Sequence, residues 1–470
     1  MDNYDVVTLI VAHIYKPWAP WKERPRIASY APVSRLFQRA VESITFQNVT
    51  FPDDADGQAR FATIFCSSEV HRRAAVRYVS VDVGLPCDAR SPEEHGRNEK
   101  HLTSTVSSLF RQLHGWEIGR PDDDLPERFT VFVACSVPGS HARDRRPTLN
   151  QDDVDRLPAV RYVRRLKVSV ADQRTPHATC LFQLAAHTPN LRELDVEYMD
   201  GDHDQPHLRL EQHSALAGAI LSLRGKLPCL ESLSMFRNGG DTPINHSFQC
   251  QDLEEQGVDP VCDALRQFVE DSGLKTLRLH NVLVSPDLFR RQGTRAGEGG
   301  EAVDTPALWP SLRVLDIRCG PVAPGGKWYS TGNPNDIEPR WPSRPDTPEW
   351  QDDPDIETDD DLSSVDSRIA NAPNDEWPQH EWRRRLDPDT FDPLLLAMVA
   401  ARMPMLRSGH LEIRMDYGYH WAYFWFGDPK MPRGYVREWA VRLANKSPWT
   451  PPAGLSMTVD VDELVPPDYL

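Results

Sequence analysis

The densest run of residues able to hold a metal is Asp200-Gly201-Asp202-His203-Asp204-Gln205-Pro206-His207, with Glu211 and His213 beyond it. His203 and His207 are four apart, and on a helix that spacing aligns two imidazoles on one face, as a zinc site requires. Gly201 and Pro206 both break helices, so the run reads as a polar loop between regular elements. No GxSxG, HExxH or kinase signature occurs, and scattered Ser, His and Asp do not make a triad, whose members are recognised by geometry. Neither GxGxxG nor GxxxxGK[ST] is present, so the glycine-rich phosphate cradles of nucleotide-binding folds are missing. The eight cysteines include no CxxC; Cys66, Cys135, Cys180, Cys229, Cys262 and Cys319 sit in or beside apolar segments. They read as reduced, small buried hydrophobes of a cytoplasmic or nuclear protein. No catalytic residue, cofactor or metal ligand is expected, and the chain does not read as an enzyme.

Two patterns bear on binding instead. Tyr417, Tyr419, Trp421, Tyr423 and Trp425 alternate with Gly418, His420, Ala422 and Phe424. A strand there would put five large aromatics on one face. Tyr419, Trp421, Tyr423 and Trp425 are therefore a candidate partner surface. The alternative is a C-terminal cap over the last structural repeat, with Tyr435 to Asn445 packed beside it. Thr358 and Ser363 each have an acid three residues on, Asp361 and Asp366, a spacing acidophilic kinases accept and acidic runs produce by chance.

The elements that would position these groups repeat along the chain. One phrase recurs: apolar, two residues, Leu, one residue, apolar. It is seen as Val163-x-x-Leu166-x-Val168, Leu191-x-x-Leu194-x-Val196, Leu230-x-x-Leu233-x-Met235, Leu274-x-x-Leu277-x-Leu279 and Leu312-x-x-Leu315-x-Ile317. Weaker copies are Val41-x-x-Ile44-x-Phe46 and Val76-x-x-Val79-x-Val81, and a late one ends in Leu411-x-Ile413. The alternating pair puts two side chains on one face of a strand. Pro189, Pro228 and Pro310 precede the first apolar residue by two, where proline ends a helix and starts an extended segment. Amphipathic stretches lie between: Ala178 to His187, Ser214 to Arg224, a helix from N-cap Asp259 through Pro260 to Gly273, and another opened by Asp392-Pro393. Strand and helix alternate at irregular intervals, which predicts an α/β chain folded as an irregular βα solenoid rather than a doubly wound sheet.

Composition divides the chain further. At 470 residues two or three structural units are expected. The net charge is −17, yet Thr331 to Asp392 holds 18 Asp and Glu against 6 Arg, leaving −5 for the other 408 residues. That segment also carries nine prolines and the run Asp352 to Asp361, and it reads as a mostly disordered insert. Gln292 to Thr305 reads as a second, shorter insert. Mean hydropathy is −0.54 and no run of about 18 apolar residues occurs, so no membrane span is expected. The acidic start, Met1 to Asp5, is not that of a signal peptide. Acidity and the lack of a clustered basic, aromatic-interleaved motif disfavour nucleic acid.

The N-terminus carries a family resemblance. A helical pattern from Asp5 to Tyr15 is followed by a Pro/Trp-rich loop and then by Ile27-Ala28, Val33-Ser34-Arg35 and Phe37. This resembles the F-box, with its Leu-Ala-x-x-x-x-Val-Ser/Cys-Arg/Lys-x-Trp/Phe phrase. The family's opening Leu-Pro pair, due near Asp2-Asn3, is missing, so the unit is degenerate at its start or begins upstream. The whole chain is similar to the F-box/leucine-rich-repeat proteins of filamentous fungi. The resemblance implies residues 1–50 as an F-box-like helical unit, 51–330 as irregular leucine-rich repeats, 331–392 as the acidic insert, and 393–470 as the last repeat and cap. It also implies a Skp-type adaptor and a cullin ubiquitin ligase as partners, with an unknown target protein held on the repeats. Docking on the adaptor would use Leu9, Ile10, Ile14, Val33 and Phe37, unless these five are core residues of a helical cap. The alternatives are a leucine-rich scaffold without ligase association, and an α/β enzyme.

Overall fold

The apolar phrase sets the register of a mostly parallel sheet in the computed structural model. The structure describes residues 3–15, 27–66, 68–86, 91–118, 129–136, 148–168, 177–199, 206–238, 246, 248–291, 307–335, 339–340, 379–380, 382–383, 385–414, 421–426, 439–443, 449–450, 452 and 458–460. The acidic run 352–361, Thr358, Ser363, the 292–305 insert, His203 and Tyr419 lie outside the described residues. Two compact units divide the chain: residues 1–198 with 222–233, and residues 199–221 with 234–470. The expected repeat stretch 51–330 is thus shared between them.

In the first unit, β1 (Asn48–Phe51), β2 (Tyr78–Gly84), β3 (Thr130–Ser136), β4 (Arg165–Val168) and β5 (Glu193–Met199) are neighbours in chain order, all parallel. Val49, Val79, Val131, Leu166 and Leu194 lie opposite one another, and two residues on so do Phe51, Val81, Val133, Val168 and Val196. That second row is wholly buried, whereas Tyr78, Ser80 and Asp82 between them are half-buried or exposed. A sheet covered on both faces would bury every position. Here one face is packed and the other is open.

The helices lie between the strands: α1 (Asn3–Tyr15), α2 (Arg35–Thr45), α3 (Ala55–Ile64), α4 (Val70–Ala75), α5 (Pro92–Glu117), α6 (Gln151–Val154) and α7 (Ala178–Ala185). A capping box starts α5, with Ser91 Oγ accepting from Glu94 N–H and the Glu94 carboxylate accepting from Ser91 N–H, and Pro92 in the first turn. Two expectations shift at this end of the chain. Val41 and Ile44 belong to α2, because the Ser34 side chain caps that helix and a spacing of three suits a helix as well as a strand entrance. The first strand phrase is therefore Phe46-x-x-Val49-x-Phe51. Strand β3, centred on Val131, has no leucine and escaped the pattern.

The second unit contains most of α8 (Pro206–Ser222), with β6 (Ser232–Asn238) lying at the division between units. Helix α8 begins eight residues before the expected Ser214, because Pro206 serves as a first-turn residue rather than a breaker. Then come α9 (Pro260–Asp271), β7 (Thr276–His280) and β8 (Val314–Cys319), with Leu277 opposite Leu315 and Leu279 opposite Ile317. Asp259 caps α9 as the sequence requires, accepting from Val261 N–H and Cys262 N–H.

Two short antiparallel ladders join the ends of the acidic insert. Strand β9 (Ser330–Thr331) pairs with β12 (Arg385–Leu386), and β10 (Pro339–Arg340) pairs with β11 (Gln379–His380). Beside them Arg383 lies 5.0 Å from the Trp328 ring centre and 4.1 Å from that of Trp382, and it donates to the His246 and Ser330 carbonyls. Helix α10 (Pro388–Ala400) starts at Asp387-Pro388, not at Asp392-Pro393, since the first Asp-Pro already supplies a cap and a first-turn proline. The sheet resumes with β13 (Ser408–Arg414), parallel to β8, followed by β14 (Trp421–Phe426), β15 (Trp439–Leu443) and β16 (Thr458–Asp460). Gly409 faces Leu315 and Leu411 faces Ile317, so the last phrase reads Leu406-x-x-Gly409-x-Leu411. A glycine in the central leucine position had hidden its register.

Candidate protein-docking surface

The N-terminal helices form a small unit around Val11, Ile27, Ala40 and Val41, with Val7, Ile14, Tyr15, Ala31, Phe37 and Ile44 packed against them. Residues 7, 11, 14 and 15 fall on one side of α1 at helical spacing. Its other side is apolar too: Leu9 is 58% exposed and Ile10 44%, with Val6 also exposed. A 3₁₀ segment, Ile27–Val33, leads into α2, and on it Tyr30 and Val33 are exposed, Val33 to 64%; Leu36 follows at the start of α2. Of the five side chains expected at the adaptor, Leu9, Ile10 and Val33 face solvent. Ile14 and Phe37 do not; they complete the core of the unit. Val6, Tyr30 and Leu36 join the exposed set, and sequence alone did not single them out. A helix that is apolar on both sides gives no clue to its inner face until the packing partner is known.

Glu42 ties α2 to α4. Its carboxylate accepts from Arg72 Nε at 3.1 Å and Arg72 Nη2 at 2.8 Å, and from Gln38 Nε2 at 3.0 Å, and it lies 2.6 Å from His71 Nε2. Burial alone would raise this carboxyl, but the bonds from Arg72, Gln38 and His71 outweigh it and bring its pKa down to about 2. The Arg72 guanidinium also lies 5.8 Å from the Phe46 ring centre. Helix α4, carrying His71 and Arg72, is thereby clamped to α2.

On the open sheet face of the first unit the polar groups are matched to one another. Thr50 and Ser80 hydroxyls are 3.2 Å apart, the Tyr78 and Phe132 rings stack at 6.2 Å, and Arg165 Nε donates to Asp195 at 2.9 Å. In the second unit, Asp316 on β8 lies 3.2 Å from His280 Nε2 on β7 and 2.9 Å from His410 Nδ1 on β13, and accepts from Arg318 Nε at 3.2 Å. Burial would raise the Asp316 carboxyl, yet these three partners hold it well below the usual carboxylate range.

Other singled-out residues have structural partners. His207 is exposed on α8, while His213 is buried with its Nε2 2.6 Å from Asp259 Oδ1, inside the cap of α9. Among the described residues no group of three His, Cys, Asp or Glu side chains is placed to hold a metal ion. The described cysteines are free thiols. Cys135, Cys180, Cys262 and Cys319 are buried, and burial pushes Cys180 and Cys319 up to about 12. Cys66 is half-buried and Cys229 exposed, contrary to the expectation of burial for both. Trp421, Tyr423 and Trp425 lie in β14, which pairs antiparallel with β13 and β15, so the alternating segment is a strand from 421 onward. No described helix is long and apolar enough to cross a membrane. In comparisons with known proteins the chain matches no family model and shows no significant similarity to any curated protein.

Proposed function

We propose that this chain is the substrate-recognition subunit of a Skp–cullin–F-box ubiquitin ligase, working in the cytoplasm or nucleus. In this reading the N-terminal unit docks on the Skp-type adaptor, and an irregular leucine-rich-repeat solenoid presents its open sheet face to a target protein. The chain performs no covalent chemistry; it raises the local concentration of the target and orients it near the ligase. One observation carries the reading: Leu9, Ile10 and Val33 are exposed on a unit whose core is complete without them. Several large apolar side chains left exposed on one small unit support an interaction site.

Co-purification with a Skp-type adaptor tests this. Wild type should capture the adaptor, and Leu9→Asp with Val33→Asp should abolish capture. Failure of the wild type to capture it, or capture unchanged in the double variant, would remove the ligase role. A leucine-rich scaffold without ligase association is the second reading, favoured by Ile14 and Phe37, which serve the unit's own core.

A further inference from the structure

His246 is buried, and its ring nitrogen Nδ1 accepts two hydrogen bonds at once, from Trp382 N–H and from Arg383 N–H, each at 2.8 Å. A neutral imidazole has one nitrogen that donates and one that accepts, whereas an imidazolium has two donors and no acceptor. The ring is therefore neutral here and carries its proton on Nε2. A proton added at Nδ1 would meet two N–H groups already aimed at that atom, and both bonds would be lost.

The contact belongs to a joint of three segments within the second unit. The segment from His246 to Glu254 packs on the turn before Trp328. Trp328 Nε1 donates to the Phe248 carbonyl at 3.3 Å, and Leu253 N–H donates to the Pro324 carbonyl at 2.8 Å. The His246 and Trp328 rings meet edge-on with centres 5.3 Å apart. The third segment is the chain that returns after β11. It passes so close to Gly332 that a side chain there would collide with the Trp382 carbonyl. The ladder of β12 with β9 follows at once, at Arg385 and Leu386.

The charged and titratable groups around the joint come from four elements. Arg383 on the returning chain, Arg237 on β6 and Arg209 on α8 all act on the Cys250 thiol, and Asp387 at the cap of α10 acts on Arg383. The arginines stay charged, and burial pushes the Cys250 thiol up to about 12, so it stays neutral. A proton on His246 would place a further buried cation next to Arg383, whose Nε lies 3.0 Å from the His246 carbonyl oxygen.

We infer that His246 is an acid-sensitive latch: its neutral ring holds the returning chain at Trp382 and Arg383, and its protonation frees both amides. The Arg383 side chain keeps its bonds to the His246 and Ser330 carbonyls, so the joint loosens along its backbone without coming apart. The latch is closed where the ring is neutral and opens as pH falls and Nδ1 takes up a proton. An unrestrained imidazole does so near about pH 6.5.

The test uses the full chain and amide hydrogen exchange at Trp382 and Arg383. Exchange is read by fragmentation mass spectrometry at about pH 7.5 and about pH 5, corrected for the intrinsic effect of pH on the rate. Protection at these two amides should fall by about tenfold or more on acidification, and that at Leu315 and Ile317 in β8 should fall by less. His246→Asn supplies a side-chain carbonyl that accepts but does not titrate, so its protection should not follow pH. His246→Ala should lose protection at both pH values. A second readout uses the wild-type protein labelled with nitrogen-15 histidine, in which the signal missing from the variants should show a bare Nδ1 at about pH 7.5. Unchanged protection on acidification, an equal fall in β8, the same pH dependence in His246→Asn, or a proton on Nδ1 at about pH 7.5 would overturn the inference.

Discussion

Replacing Glu42 by glutamine should loosen the joint between the N-terminal helices and the first strands, and the loss should depend on pH. In the folded protein the Glu42 carboxyl has its pKa at about 2, against 4.5 for an unrestrained glutamate. A depression of that size corresponds to roughly 3 kcal/mol at neutral pH, at about 1.4 kcal/mol for each unit. Glutamine keeps the shape and one carbonyl acceptor but removes the nearer of two carboxylates from Arg72, leaving Glu69 Oε2 at 3.7 Å, so about 2 kcal/mol of loss is expected. A depressed carboxyl stabilises fully above its unfolded pKa and less as pH falls through the folded one. The difference between wild type and Glu42→Gln should therefore be full at pH 7, shrink below about pH 4.5, and be nearly gone by about pH 2. Amide exchange along Ala40 to Ile44 reads this opening locally, without requiring the whole chain to unfold in one step. A difference under about 0.5 kcal/mol at pH 7, or one of equal size at pH 3, would show that the Arg72 and His71 bonds do not hold this joint.

Two further substitutions probe the packing. Phe37→Asp should destabilise the N-terminal unit by about 3 kcal/mol or more, because it puts a charge into the core, whereas Leu9→Asp should cost under about 1 kcal/mol; circular dichroism melting or limited proteolysis between α1 and α2 would separate them, and equal effects would contradict the two-sided placement of α1. Asp259→Ala removes the cap of α9 and strips the buried His213 of its partner, so a loss of about 2–4 kcal/mol is expected in chemical denaturation, and a loss under about 1 kcal/mol would mean the pair is dispensable.

Sheet register was legible in the sequence wherever leucine occupied the central place of the phrase. It failed in three places for three physical reasons. Val41 and Ile44 sit three apart, which a helix and the strand phrase share, and only the Ser34 cap decides between them. Val131 fills the central place without leucine, and Gly409 fills it with no side chain at all. Capped helices read well, as at Asp259-Pro260, but two Asp-Pro pairs five residues apart left the start of α10 ambiguous until the fold placed Asp387 at the cap. Of the five residues expected at an adaptor, Leu9, Ile10 and Val33 are exposed and Ile14 and Phe37 pack into the unit. Sequence could not separate Leu9 from Ile14, because both faces of α1 are apolar. Contacts such as Glu42 with Arg72, thirty residues apart, leave no local trace.

The paired strands at the base of the acidic insert have a consequence for how this protein can change. Chain departing at Arg340 returns at Gln379 only one strand spacing away, about 4.8 Å, already held by β10 and β11. The ladder holds these two ends together whatever the number of residues that join them, so the length of the joining chain enters through the closure of a ring. Doubling the length of that ring costs only about 0.6 kcal/mol. As far as ring closure is concerned, changes of length between them cost the sheet little. The site is a natural socket for evolutionary tinkering and for grafting a reporter or a second binding module.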